Sequence, residues 1–265
     1  MPRFAANLSL LYPDLPLPER FGAAARAGFR AVELQFPYAW PAATLAAELA
    51  RQQLTLVLHN LPAGDWAAGD RGIATDPARI DEFHAGVERA IEYALALGRP
   101  RLNCLAGIPP AGVSTEQAGA TLLDNLRHAA GRLAAHDLTL LIEPINTFDI
   151  PGFFVSRSAQ ALALIERVGA PNLALQYDIY HAQRMEGELG NTLRACLDRI
   201  GHIQIADNPG RHEPGSGEIN YRYLFDRLDA LGYGGYVGCE YLPADVAAGG
   251  TDAGLAWLAD HGQSL

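Results

Sequence analysis

Short apolar runs of strand length alternate with longer segments of helical periodicity along the whole chain. The runs predict strands over 4–8, 31–36, 54–59, 102–106, 138–143, 173–178, 202–206 and 236–241. They read as continuously apolar, the pattern of a parallel sheet covered by helices. Between them, Asp76-Pro77 reads as an N-cap with a first-turn proline, followed by Ile80, Phe83, Val87 and Ile91 on one helical face and Gly98 as the stop. Ser114 and Gln117 make a capping-box pattern, and Leu122, Leu126 and Leu133 continue that helix's apolar stripe. Further helices are predicted over 18–27, 42–53, 158–168, 188–198, 221–231 and 251–261. Eight strand–helix units describe a closed (β/α)8 TIM barrel of the α/β class better than an open doubly wound sheet. No linker, repeat or low-complexity tract divides the chain, so residues 1–265 are expected to form one barrel domain.

In such a barrel, polar side chains at the C-terminal strand ends face one shared mouth. The fifth strand ends in Glu143, the sixth in Asp178 with His181 a turn later, and the eighth in Glu240, while the seventh carries Gln204 between two isoleucines. Each has a plain structural reading: Asp178 is placed to cap the next helix, and a buried Gln204 needs only hydrogen-bonding partners. Glu143 is a poorer cap because proline follows it, and Glu240, leaving an apolar strand, is costly to desolvate without a cation. Together, three carboxylates at one mouth repel unless a metal neutralises them. The all-oxygen set Glu143, Asp178, Gln204 and Glu240 suits a hard divalent cation, Mg²⁺ or Mn²⁺, better than zinc.

Composition removes competing chemistries. All 20 residues counted as Lys+Arg are arginines, which leaves no side chain for a Schiff base, a pyridoxal phosphate site or a P-loop. Gly232-Tyr233-Gly234-Gly235 precedes a predicted strand instead of following one, so it reads as a turn and not as a nucleotide fingerprint. There is no Gly-x-Ser-x-Gly elbow, and His212-Glu213 lacks the second histidine of a zinc-protease helix. A net charge of −10 argues against a nucleic-acid surface. No apolar stretch is long enough to span a bilayer, and Asn7 comes too early for a signal-peptide apolar region, so the expected address is the cytoplasm. Cys104, Cys196 and Cys239 are widely spaced and are expected to be reduced thiols, mostly buried. A homo-oligomer is compatible with all of this.

Six blocks in order carry a family resemblance. They are 59–69, Ile142-Glu143-Pro144-Ile145-Asn146, Gln176-Tyr177-Asp178-Ile179-Tyr180-His181, 201–209, 213–221 and Val237-Gly238-Cys239-Glu240-Tyr241. With them the chain resembles the hydroxypyruvate isomerase family, within the wider group of xylose-isomerase-like barrels. The resemblance implies metal ligands at Glu143, Asp178, Gln204 and Glu240, with Glu143 and Glu240 as the proton-transfer pair. Related keto-sugar epimerases carry histidine in place of Gln204 and glutamate in place of Asp149, so both positions lean toward the hydroxypyruvate isomerase branch. That branch includes relatives acting on four-carbon 2-oxo acids, which these blocks do not separate.

The implied reaction converts hydroxypyruvate to 2-hydroxy-3-oxopropanoate (tartronate semialdehyde) through an enediolate, assisted by the metal as Lewis acid. The alternatives are a 2-oxo-tetronate isomerase or a keto-sugar epimerase on the same scaffold. The substrate carboxylate needs a cationic partner, for which Arg211, after the seventh strand, is the first candidate. His181, His59 and Asp149 are further candidates for substrate contact. The segment 60–75, with Trp66 in it, is longer than an ordinary barrel loop and is expected to act as a lid. A metal-dependent nuclease on the same barrel would need a basic face and more histidine ligands.

Overall fold

The computed structural model describes residues 1–246 and 250–265. Strands β1 (Arg3–Asn7), β2 (Ala31–Leu34), β3 (Thr55–Asn60), β4 (Arg101–Cys104), β5 (Leu140–Ile142), β6 (Leu173–Asp178), β7 (Ile200–Ile205) and β8 (Tyr236–Cys239) hydrogen-bond in sequence order. All neighbouring pairs are parallel, and β1 pairs with β8 from Arg3↔Tyr236 to Ala6↔Cys239, closing the barrel. Closure leaves no barrel strand among the described residues with an edge free to recruit another chain.

The connecting helices are α1 (Leu17–Ala27), α2 (Ala42–Gln52), α3 (Ile80–Ala96), α4 (Thr115–Ala134), α5 (Ser158–Val168), α6 (Ile179–Met185), α7 (Leu189–Cys196), α8 (Tyr221–Ala230), α9 (Gly250–Gly254) and α10 (Trp257–Asp260). The expected caps are in place. Asp76 accepts from the Ala78 amide, and Ser114 accepts from the Gln117 amide. The helix expected over 188–198 is α7 plus a 3-10 turn, and α6 precedes it directly after β6. The helix expected over 251–261 is divided into α9 and α10. Six strands, β1, β2, β4, β5, β7 and β8, end earlier than the apolar runs imply; β5 stops at Ile142 and β8 at Cys239, which leaves Glu143 and Glu240 just past the ladder.

The main core lies between barrel and helices, with Phe21, Leu45, Val87, Leu122 and Phe225 fully or nearly fully buried. A separate small cluster includes Ala5, Ala31, Leu58 and Leu141. Each of these residues stands two positions before a polar one: Asn7, Glu33, Asn60 and Glu143. Side chains two apart share a strand face, so the interior is an apolar plug topped by a polar layer. Cys104 and Cys239 are buried, and burial alone pushes the Cys104 thiol up to about 12. No helix among the described residues is long and apolar enough to cross a membrane.

Candidate active site

Glu143, His181, Arg211 and Glu240 line one cleft, together with Asp149 and Trp66. Glu143, Asp178 and His181 each offer a ligand-type atom, all within 4.8 Å of one another, and all three residues are buried. Asp178 does two jobs. One carboxylate oxygen accepts from the Tyr180 amide at 2.8 Å and caps α6, as expected of a strand-end aspartate. Its other oxygen, Oδ2, is buried with no hydrogen-bond partner.

The crowding shows in the acidities. Burial raises the Glu143 carboxyl well above its ordinary value, and Glu240 and Asp178 reinforce the shift. Burial pushes Asp178 up to about 7 although Arg211 pulls the other way, and it raises Glu240 against the same opposition. Arg211 stands among these groups, with Nη2 at 2.8 Å from Glu240 and 3.8 Å from Asp178. Burial works against its charge, but Glu240, Asp178 and Glu143 outweigh that, and its pKa rises.

This differs from the sequence expectation, which gave neutralisation to a metal alone and reserved Arg211 for substrate. The loop after β7 explains the placement. Asp207 accepts from the Asn208, Gly215 and Ile219 amides, and the Arg211 amide bonds Asp207 O at 3.0 Å. Arg211 sits at φ 59° in that turn, next to the Asp207↔His212 bridge, and its guanidinium reaches inward.

The protonation of His181 follows from its neighbour. Asn146 Oδ1 accepts from the Phe148 and Asp149 amides at 3.0 and 2.8 Å, so the Asn146 amide nitrogen faces His181 Nδ1 at 2.7 Å. Nδ1 is therefore the acceptor, and the ring hydrogen is on Nε2. Nε2 lies 3.6 Å from Asp178 and 3.9 Å from Glu143. Burial, with Arg211 and Arg184 nearby, keeps the ring's pKa well below its ordinary value. His181 is thus a neutral donor aimed at oxygen, and in this tautomer Nε2 has no lone pair for a metal. Asp149 accepts from Tyr180 Oη at 2.8 Å and Asn146 at 3.0 Å and pairs with Arg184, so its charge is compensated at the cleft.

Gln204 is buried beside Asp178 in the β6–β7 register and does not line the cleft. Its Oε1 accepts from Gln176 at 2.6 Å, and its Nε2 donates to Glu33 at 2.9 Å. His59 is not among the cleft-lining groups either. Its Nδ1 lies 3.1 Å from Asn60 O and 3.3 Å from Tyr38 Oη, and burial lowers its pKa to about 4. Alternation along β3 explains this: Asn60, one residue on, lines the cleft instead.

Several partners of the glutamates were not anticipated. Asn103 donates to Glu143 at 2.7 Å, Gln35 donates to Glu240 at 2.8 Å, and Asn7 donates to Glu240 at 3.2 Å. Asn7 and Asn103 lie in β1 and β4 and Gln35 directly follows β2, where polar residues interrupt apolar runs. That interruption is the signal that could have found them.

Segment 60–75 is folded on itself. Asp70 accepts from the Asp65 amide at 2.7 Å and pairs with Arg79 at 2.8 Å. Trp66 is 42% exposed, with its indole 5.2 Å from the Phe36 ring and 4.2 Å from the Arg71 guanidinium.

Comparison with known proteins agrees with the barrel fold. Residues 21–261 match the family model for a xylose isomerase-like TIM barrel. The chain is 56% identical to a hydroxypyruvate isomerase of Escherichia coli (strain K12), covering 97% of this chain and 98% of the relative. It is 50% identical to a 2-oxo-tetronate isomerase of Cupriavidus necator, again covering 97% and 98%. The crystal structure of an AP endonuclease, family 2, from Brucella melitensis superposes with a TM-score of 0.93 at 47% identity, covering 98% of this chain and 99% of that one. The chain belongs to the xylose isomerase-like TIM barrel family, in the group that holds the hydroxypyruvate and 2-oxo-tetronate isomerases.

Proposed function

We propose that the chain is an isomerase that interconverts hydroxypyruvate and 2-hydroxy-3-oxopropanoate, with a four-carbon 2-oxo acid as the alternative substrate. The observation that carries this reading is the placement of Glu143 and Glu240 on one cleft, both with carboxyls raised by burial. A raised carboxyl is a better base once ionised and a usable acid near neutral pH. In the forward direction one glutamate takes a proton from C3 and the other returns one to C2. A second proton passes from the C3 oxygen to the C2 oxygen, so the enediolate relaxes with the carbonyl moved by one carbon. His181 Nε2–H is placed to donate to an oxygen of that intermediate, since its ring is neutral and its orientation is held by Asn146.

The residues present suit a divalent cation. Asp178 Oδ2 is buried beside Glu143 without a hydrogen bond, and the Arg211 guanidinium stays 3.8 Å away, which leaves this oxygen open to a closer cation. Glu143, Asp178 and Glu240 would hold the ion through carboxylates and Gln204 through its amide oxygen, a donor set that favours Mg²⁺ or Mn²⁺. When bound, such an ion supplies Lewis-acid stabilisation of the developing oxyanion. Arg211 would then be free to turn from Glu240 to the substrate carboxylate, for which a guanidinium has the right geometry.

A panel of hydroxypyruvate, four-carbon 2-oxo acids and free ketoses, assayed with and without Mg²⁺ or Mn²⁺, tests the reading. Turnover of the short 2-oxo acids and none of the ketoses is expected. No isomerisation of any member under any condition would overturn it. A nuclease role has the net charge of −10 against it, because a phosphate backbone needs a basic face. Trp66 and Phe36, with Arg71 over the Trp66 ring, form the side of the cleft that would shut out water. Trp66→Ala is expected to lower kcat/KM by about 10–100-fold in steady-state kinetics. Unchanged kcat and KM would remove the lid from the mechanism.

A further inference from the structure

Glu33 is fully buried inside the barrel, in a place where an isolated carboxylate would be costly. Three donors converge on it. His202 Nε2 contacts Oε1, while Gln204 Nε2 reaches Oε2 at 2.9 Å and Asn7 Nδ2 reaches it at 3.2 Å. The space is built for it: a methyl group at Gly238 would collide with both carboxylate oxygens, so the absent side chain of β8 makes room for the acid of β2. Gly238 stands two residues before Glu240, and its carbonyl accepts from the Glu240 amide at 3.0 Å.

We propose that Glu33 is a positioning residue for the cation site, holding the Gln204 amide with its nitrogen turned away and its oxygen on the side of β6 that carries Gln176 and Asp178. The inference rests on the cation reading above. Glu33 Oε2 accepts from both Gln204 and Asn7, so the amide nitrogen of Gln204 is the end that faces it. Gln204 Oε1 is then on the opposite side, where it accepts from Gln176 at 2.6 Å and keeps a second lone pair. An amide turned the other way would offer the cation an NH2 group, which has no lone pair to give. Glu33 also reaches a second candidate ligand. Asn7 Oδ1 is held by the Ser9 amide at 3.1 Å, which aims Nδ2 at Glu33 and Glu240 together, 3.2 Å from each. One buried carboxylate thus fixes the amide on β7 and, through Asn7, steadies the glutamate after β8. Outer groups that orient a ligand are typically worth about 10–100-fold in metal affinity.

The test is direct Mn²⁺ titration, following free Mn²⁺ by its EPR signal, on wild type, Glu33→Gln, Gln204→Ala and the double variant. Glutamine at 33 keeps the volume but can present its own NH2, which leaves the Gln204 amide free to turn. Glu33→Gln is expected to raise the Mn²⁺ Kd by about 10–100-fold. On the Gln204→Ala background the same change should add less than it does on wild type, because the part of its effect that passes through that amide is gone and only the part through Asn7 remains. An unchanged Kd in Glu33→Gln, or a loss that adds in full to that of Gln204→Ala, overturns the proposal. The additive result would mean that only the lost charge matters. If Glu33→Gln alone does not fold, Glu33→Gln with His202→Gln replaces the buried pair by two amides and takes the same measurement. A wild-type protein that binds no Mn²⁺ removes the cation reading and this one with it. Binding by wild type with no response to Glu33→Gln removes this one alone.

Discussion

Replacing Glu143 or Glu240 by glutamine is expected to lower kcat by about 10²–10⁴-fold or more, since each change removes one positioned proton transfer. The amide is nearly isosteric, and Asn103 can still donate to the oxygen of a glutamine at 143, as it does to Glu143 at 2.7 Å. The fold should therefore survive, and the sign of the stability change can be worked out. The Glu143 carboxyl is raised on folding, chiefly by burial. Its favourable contribution is thus fully present below the unfolded carboxyl pKa of about 4.3 and is lost as pH rises through the folded value. Glutamine never ionises and escapes that loss. In metal-free buffer at pH 8, Glu143→Gln should melt at or above the wild-type temperature while being nearly inactive. Exchange of the substrate C3 hydrogen in D₂O separates the two roles: the variant lacking the base loses exchange, and the one lacking the acid retains part of it. If both variants kept more than a tenth of wild-type turnover, the paired-glutamate mechanism would have to be abandoned.

For Arg211→Met, two effects of opposite sign are expected. The guanidinium lies 2.8 Å from Glu240 and 3.8 Å from Asp178, so it competes for the charge that would hold a cation. Removing it should tighten Mn²⁺ binding. The same change deprives the substrate carboxylate of a charge-assisted pair worth about 1.5–3 kcal/mol, equivalent to roughly 10–100-fold in KM. Mn²⁺ titration and steady-state kinetics on one preparation measure both. A tighter ion with an unchanged KM would leave Arg211 as a stand-in cation only, with the carboxylate recognised elsewhere. Weaker Mn²⁺ binding would contradict the competition itself.

How much of this was legible in the chain depends on which physical rule each residue obeys. The barrel was readable because eight apolar runs of strand length alternate with 3.6-periodic segments, and closure is the arrangement that covers both faces of every strand. Glu143, Asp178 and Glu240 were readable because strand ends are easy to locate and three acids at one mouth demand a countercharge. His59 lies off the cleft wall because a one-residue step along a strand reverses its face, and the end of β3 belongs to Asn60. Arg211 was found but given one partner instead of two, since a turn with φ 59° cannot be read from residue types. The polar layer of Asn7, Glu33, Gln35 and Asn103 went unread for a different reason. Each is a single interruption in an apolar run, and only the three-dimensional layer shows that the interruptions meet.

Asp178 ends β6, caps α6 through one oxygen and faces Glu143 and His181 with the other. Barrels of this kind are often pictured as a fixed scaffold carrying interchangeable loops. At this strand end that modularity fails. The residue that sets the local chain direction is also one that sets the charge of the cleft, and His181 rides on the helix it starts. A substitution that retuned the chemistry at 178 would also loosen the first turn of α6 and shift its histidine. Diversification of this scaffold therefore has more freedom in the loop after β3 than in the one after β6.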